Sequence, residues 1–249
     1  MADRRHAISL IAPLAVLGRA EEVALRVGQA VQLGLLSDGE QLPSEVEFAA
    51  QLGVSAMTLR EALAMLRQQG LVETRRGRAG GTFVRRPTAP QLSLLRDRLR
   101  AMSMVELRDL TDEQSAVSGA AARLAATRAS TVSVRLLLAL ADELAGSPTT
   151  GARIMAESRF HIEVAIASRS QRLTMLEVAL QTQLAELLWL PLSADPVLPD
   201  LAAAAGEHTA IAAAIEAEDG SLARLLAEDH AEANLRRLTT LRLALPPHL

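Results

Sequence analysis

Apolar residues recur three and four positions apart over most of this chain, the spacing that gives a helix one buried face. Val23, Arg26, Val27, Ala30 and Val31 form such a stripe between Arg19 and Leu33, and it ends near Gly34. Phe48, Ala49 and Leu52 give a second, short helix its inner face, and Leu59, Ala62, Leu63 and Leu66 do the same for a third. Ser44 with Glu47 three residues on has the chemistry of a capping box. Gly53 suits the tight turn between the two short helices, and Ser55 can cap the one that follows. The pattern then changes period. Leu71 to Arg75 and Thr82 to Arg86 read as short strands around the loop Arg76-Gly77-Arg78-Ala79-Gly80-Gly81. Residues 42–74 and this hairpin together predict a winged helix-turn-helix, and the rest of the chain is organised around it.

Pro87 and Pro90 interrupt both helix and ladder, so the pattern predicts a domain boundary there. Beyond it every segment has helical period: 91–101, 103–128, 131–145, 150–169, 171–190, 200–218 and 220–243. Breaks are expected at Ser130, from Gly146 to Pro148, from Pro191 to Pro199, and at Gly220. The predicted fold class is therefore mostly α: an N-terminal winged helix-turn-helix plus a C-terminal all-α bundle of six or seven helices. The expected division is an arm at 1–18, a winged domain at 19–86, a linker at 87–91 and the bundle at 92–249. The start of the chain, Arg4-Arg5 before AISLIAPLAVLGRA, superficially resembles an export signal, but Pro13 interrupts its apolar run. It reads as a loose arm. No stretch reaches the roughly 18 to 20 apolar residues that a membrane span needs, so the expectation is a cytoplasmic protein without a membrane partner.

Composition narrows the chemistry. Hydrophobic residues make up 49 % of the 249, but only three Phe and one Trp supply aromatic bulk, which favours helices built on Ala and Leu. No Cys occurs, excluding disulfides, thiolate metal sites and Cys nucleophiles together. The net charge of -3 is unevenly spread. Residues 1–90 hold 11 Arg and 9 acids, whereas residues 91–249 hold 15 Arg and 20 acids. The half with the helix-turn-helix is the basic one, as contact with phosphate requires.

A helix fits the major groove of duplex DNA, and the first residues of a recognition helix face the base edges. Here they are Ser55, Ala56, Met57, Thr58 and Arg60. Thr58 can bond a base or a phosphate, and Arg60 can grip guanine or phosphate through two donors. In the wing, Arg75, Arg76 and Arg78 surround glycines that let backbone approach a duplex closely. The run GxLxxGxxLPSExxxAxxLGVSxxTxREALxxLxxxGLV, followed by a basic hairpin ending in GTFV, resembles the GntR family of bacterial transcription regulators over residues 20–86. The resemblance implies DNA contact by Ser44, Glu45, Ser55, Thr58, Arg60, Arg75, Arg76, Gly77, Arg78, Gly81 and Thr82. Two positions depart from the family's habit: Ala56 stands where a basic residue is usual after GVS, and Val46 where Arg often follows PSE. More of the operator reading should therefore fall on Arg60 and the wing.

GntR proteins are subdivided by their C-terminal domain, and the helical one here resembles the FadR C-terminal (FCD) type. That likeness implies a homodimer on a palindromic operator, a small-molecule effector such as an organic acid, and a divalent metal. It assigns the metal to Glu157, His161, His208 and His230, with zinc first and nickel or manganese as alternatives. Helical spacing speaks to the same residues. Glu157 and His161 are four apart and share a helix face, His208 lies in line with Ala204, Ala205, Ile211, Ala212 and Ile215, and His230 sits among Leu226, Ala227 and Ala233. Three imidazoles and one carboxylate suit a transition ion. The family's usual acidic ligand is Asp, and Glu157 is one methylene longer. Where the first effector-domain helix commonly has Arg and, four residues on, Glu, this chain has Gln114 and Ser118. Gln114 either offers neutral hydrogen bonds to the effector or is simply exposed, and Asn234 is a second polar candidate. The function these readings point to is a ligand-responsive DNA-binding regulator, a repressor rather than an enzyme. Two other readings stay open: a constitutive DNA binder with a metal-free structural bundle, and a metal-dependent enzyme joined to a DNA-binding domain. Against the last, no separate general base stands out, and neither HExxH nor GxSxG occurs.

Overall fold

The computed structural model describes residues 18–77, 80–85, 92–191 and 201–245. The expected arm up to residue 17, the wing residue Arg78 and the expected linker at 87–91 lie outside the described residues. The chain forms two compact units, Met1–Val31 with Ser37–Arg86 and Gln32–Leu36 with Pro87–Leu249.

In the first unit, α1 (Arg19–Gln32), α2 (Glu45–Leu52) and α3 (Ala56–Gln68) precede β1 (Val72–Arg75) and β2 (Gly81–Val84). α3 buries Leu59, Ala62, Leu63 and Leu66, the stripe read from the sequence, and α1 buries Val23, Val27 and Val31 of its stripe but leaves Arg26 exposed, its charge in solvent. Ser44 and Glu47 close a complete capping box at the start of α2. Gly53 ends that helix at φ 65°, a left-handed conformation in which a Cβ would be strained. Its N–H closes back on the last carbonyls of α2, and Ser55 then caps α3 by accepting from Thr58 N at 3.1 Å.

β1 and β2 are antiparallel, pairing Val72 with Val84 and Arg75 with Gly81. The second strand is one residue early relative to expectation and stops at Val84, after which Arg85 N turns to Leu71 O at 2.8 Å. The free edge of β2 is covered by residues 40–42: Leu42 N donates to Thr82 O, and Val84 N to Glu40 O. Residue order marks this stretch only as a lead-in to α2, because its partner lies forty positions away.

The second unit holds α4 (Leu92–Ala101), α5 (Met104–Arg128), α6 (Thr131–Ala145), α7 (Thr150–Ala167), α8 (Gln171–Leu188), α9 (Leu201–Glu216) and α10 (Gly220–Ala244). Seven helices and no strand are thus found among its described residues. Ser103, Ser130, Thr149, Ser170 and Asp219 cap five of them, which explains why the breaks in periodicity located the helix starts so closely. α7 and α8 end two residues before expectation. Arg169 takes a positive φ of 51° after α7, and Trp189 closes α8 outside helical geometry.

The two longest helices, α5 and α10, pack along each other, and α5 also meets α7, α8 and α9. One apolar cluster gathers Leu99, Leu107, Leu144, Leu184, Trp189 and Leu238, and another gathers Ala121, Ala125, Leu137, Phe160, Ile211 and Ala223. Set among these apolar faces are fully buried polar residues from α5, α7, α8, α9 and α10. No helix among the described residues is long and apolar enough to cross a membrane.

Candidate functional site

The first turn of α3 exposes Ser55, Met57 and Arg60, while Thr58 is half-buried. The Ser55 and Thr58 hydroxyls lie 2.9 Å apart, so the capping bond also fixes Thr58. Arg60 Nε donates to Glu45 Oε2 at 2.7 Å, and both side chains are exposed. Glu45 thus aims the guanidinium from the first turn of α2, beside exposed Ser44. In the hairpin, Arg75 Nε donates to Glu73 Oε1 at 2.7 Å and Arg85 Nε to Glu73 Oε2 at 2.8 Å. Those bonds, the Arg85 one first, hold the Glu73 carboxyl below its ordinary range. The Arg75 guanidinium also lies 4.3 Å above the Phe83 ring, so it is oriented from two sides. Arg76 and Gly77 are exposed at the tip, Gly77 with φ 112°, and Gly81 and Thr82 are half-buried in β2.

In the second unit, α7 supplies Glu157 and His161, α9 supplies His208, and α10 supplies His230. All four are buried, and one ligand atom from each lies within 4.8 Å of the others. Glu157 Oε1 is 3.4 Å from His161 Nε2 and 3.5 Å from His230 Nε2, and Oε2 is 3.8 Å from His208 Nε2. The His161 and His230 Nε2 atoms are 3.1 Å apart. Bonds of ~2.0–2.1 Å to a common ion put neighbouring ligand atoms about 3 Å apart, and the donor set, with separations of 3.1 to 3.8 Å, is close to that spacing. Its polar atoms point the same way. Both Glu157 oxygens and both His208 nitrogens are buried with no hydrogen-bond partner among the described residues, an arrangement that is costly unless a cation completes it.

Neighbours fix the rings. Phe160 stacks on His208 with centroids 4.1 Å apart and planes 10° from parallel. Glu207 Oε2 lies 2.7 Å from His230 Nδ1, and Asn234 Nδ2 lies 3.1 Å from His230 Nε2. Electrostatics separate His208 from His230. Burial pushes His208 well below its usual value, past the attraction of Glu157. Burial acts downward on His230 too, but Glu157 and Glu207 outweigh it and raise that ring to about 9. Burial alone would raise the Glu157 carboxyl; His208, His161 and His230 together hold it well below the usual range. Without a metal, a proton on His230 supplies the positive charge the pocket is built around.

Gln114 and Asn234 belong to the same network. Gln114 is fully buried rather than exposed, and its Oε1 accepts from Asn234 Nδ2 at 3.4 Å. Sequence reasoning missed several neighbours. Arg237 Nη1 donates to Asn234 Oδ1 at 2.6 Å and sits 5.8 Å from the Trp189 ring. One turn from Gln114, Ser118 donates to Glu177 Oε2 at 2.8 Å, and Gln181 Nε2 donates to Glu177 Oε1 at 2.9 Å. A signal existed for these. Glu177 and Gln181 are four apart on a helix face otherwise made of Leu180, Leu184 and Leu188, and Arg237 falls two turns after His230. Glu207 had no such signal, since its partner is 23 residues away on another helix.

Comparison with known proteins gives two domain matches. The family described as bacterial regulatory proteins, gntR family, matches residues 19–84, and the FCD domain matches residues 109–233. The chain is 39 % identical over 228 residues to RmpR of Mycobacterium gastri, named as an HTH-type transcriptional regulator, covering 91 % of this chain and 82 % of that one. It is 30 % identical over 210 residues to the Uxu operon transcriptional regulator of Escherichia coli, covering 80 % and 79 %. The crystal structure of a GntR regulator from Rhodococcus superposes with a TM-score of 0.50 at 21 % identity, over 89 % of this chain and 98 % of that one, a likeness of fold alone.

Proposed function

The chain belongs to the GntR family of bacterial transcription regulators and carries an FCD domain, and from that premise we propose that it is a metal-assisted, ligand-responsive repressor. Residues 19–86 read the operator, with Arg60 on α3 and Arg75, Arg76 and Arg78 of the wing as the principal cationic contacts. Residues 92–249 bind the effector and hold two copies together. A palindromic operator needs two recognition helices about one DNA turn apart, so the working form is a homodimer in the cytoplasm. The observation that carries the sensing half is the buried set of Glu157, His161, His208 and His230, four ligand atoms mutually within 4.8 Å.

These residues would hold a zinc ion, or nickel or manganese, through three nitrogens and one oxygen. When bound, the metal supplies an electrophilic anchor for an oxygen of the effector. The protein does the rest. Glu207 and Asn234 hold the His230 ring, Phe160 holds His208, and Gln114 offers an amide beside them. The effector releases DNA by binding one arrangement of the bundle more tightly than another, since only differential affinity shifts such an equilibrium. The role is regulatory rather than enzymatic. The test pairs metal analysis of the purified protein with operator binding. Wild type should carry about one metal per chain and His208→Ala far less, and a ligand screen should find a compound that weakens operator binding only in wild type. Metal-free wild type, unresponsive to every ligand, would leave a constitutive DNA binder instead.

A further inference from the structure

α5 presents two buried side chains one turn apart, Gln114 and Ser118, and the open hydrogen-bonding capacity around them differs in sign. At Gln114 the oxygen is used by Asn234, while Nε2 has no partner among the described residues. A donor is therefore left open next to the ligand set, since the same Asn234 amide lies 3.1 Å from His230 Nε2. At Ser118 the reverse holds. Each oxygen of Glu177 accepts one bond, from Ser118 and from Gln181, although a carboxylate offers about four acceptor sites. Gln181 gives its amide N–H to Glu177, and its own Oε1 is buried without a partner. Glu177 is fully buried, and no cation pairs with it among the described residues. Two neutral donors leave a buried carboxylate poorly compensated.

We infer that the effector is a small amino acid whose carboxylate faces the metal set and Gln114, and whose protonated amine is received by Glu177 and Gln181. The inference rests on the effector-binding reading above and specifies its ligand. The two subsites are about one helical turn, ~5.4 Å, apart along α5, which sets the reach between carboxylate and amine. An ammonium brings donors only, and it brings the charge that Glu177 lacks. A hydroxyl brings one donor and no charge. A second carboxylate would turn acceptors toward acceptors and repel Glu177.

Calorimetric titration of the metal-loaded, full-length protein with four acids of one chain length tests this: butanoate, 4-hydroxybutanoate, 4-aminobutanoate and succinate. The amino compound should bind more tightly than butanoate and succinate by about tenfold or more, the scale of one hydrogen bond to a charged group, with the hydroxy compound between. Equal or tighter binding of butanoate, succinate or the hydroxy acid overturns the inference, as does binding of none of the four. Glu177→Gln keeps the shape and removes the charge, so the preference for the amine should collapse while metal content stays at the wild-type level. An unchanged preference, or loss of metal in place of loss of preference, also overturns it. Absence of metal from wild type would instead strike the underlying reading, so the two failures are distinguishable.

Discussion

Glu207 lies 2.7 Å from His230 Nδ1, on the side of the ring away from the other three candidate ligands. A carboxylate there keeps the proton on Nδ1 when the ring is neutral, so the lone pair of Nε2 points toward Glu157 Oε1, 3.5 Å away. Glu207 touches no other candidate ligand in this set, yet it decides which nitrogen His230 presents. Glu207→Ala should therefore lower metal affinity by about 10–100-fold, read by competition with a chromophoric chelator. Affinity equal to wild type would remove Glu207 from the site.

Metal should stabilise the folded chain by mass action. At a free concentration near 100 times its dissociation constant the gain is about 2.7 kcal/mol, which calorimetric melting resolves. Chelator should reverse it. His208→Ala should melt at the same temperature with and without metal, because one of four ligands is gone and Phe160 loses its stacked partner.

The metal-free protein should have a stability maximum near the ordinary histidine value. His230 titrates at about 9 when folded, above its unfolded value, so its contribution is complete at low pH and fades as pH rises through 9. His208 is depressed when folded, so the unfolded chain gains the proton first and stability falls as pH drops below ~6.5. Chemical denaturation across pH 5 to 10, with His230→Asn as the comparison, isolates the alkaline limb. If both proteins lose stability identically above pH 7, His230 is not the group responsible. Bound metal should remove that limb, because it takes the place of the proton.

Arg60 and Glu45 form an exposed pair, and exposed pairs contribute roughly 0–1 kcal/mol to stability. Arg60→Ala should thus leave the melting temperature nearly unchanged while weakening operator binding by ~1–3 kcal/mol, seen in titrations of a palindromic site. Glu45→Ala should weaken it less, since it frees the guanidinium without removing it. Full affinity and specificity in Arg60→Ala would move base reading elsewhere on α3.

Much of this was readable from residue order. Ser44 with Glu47, Gly53 and Ser55 specify a helix, a left-handed stop and a second helix within twelve positions, and each acts through bonds to residues three or four away. The seven helices of the second unit were placed by the same local rules, as was the shared face of Glu157 and His161. Local signals have local reach, however. The pairing of residues 40–42 with β2, the carboxylate behind His230 and the meeting of Ser118 with Glu177 span 23 to 59 positions or so, beyond any helical period.

The sequence by itself determined the helices, their caps, their apolar faces and the polar residues set into those faces, because propensity, capping and periodicity are settled within a few residues of each position. Tertiary structure alone decided which polar residues face one another. Packing of α5 against α8 and α10 left Gln114 with an open donor and Glu177 with open acceptors, and packing of α7, α9 and α10 around α5 brought three imidazoles to one carboxylate. The physical reason is that distances between helices follow from how whole faces interlock, and no single stretch of sequence contains that information.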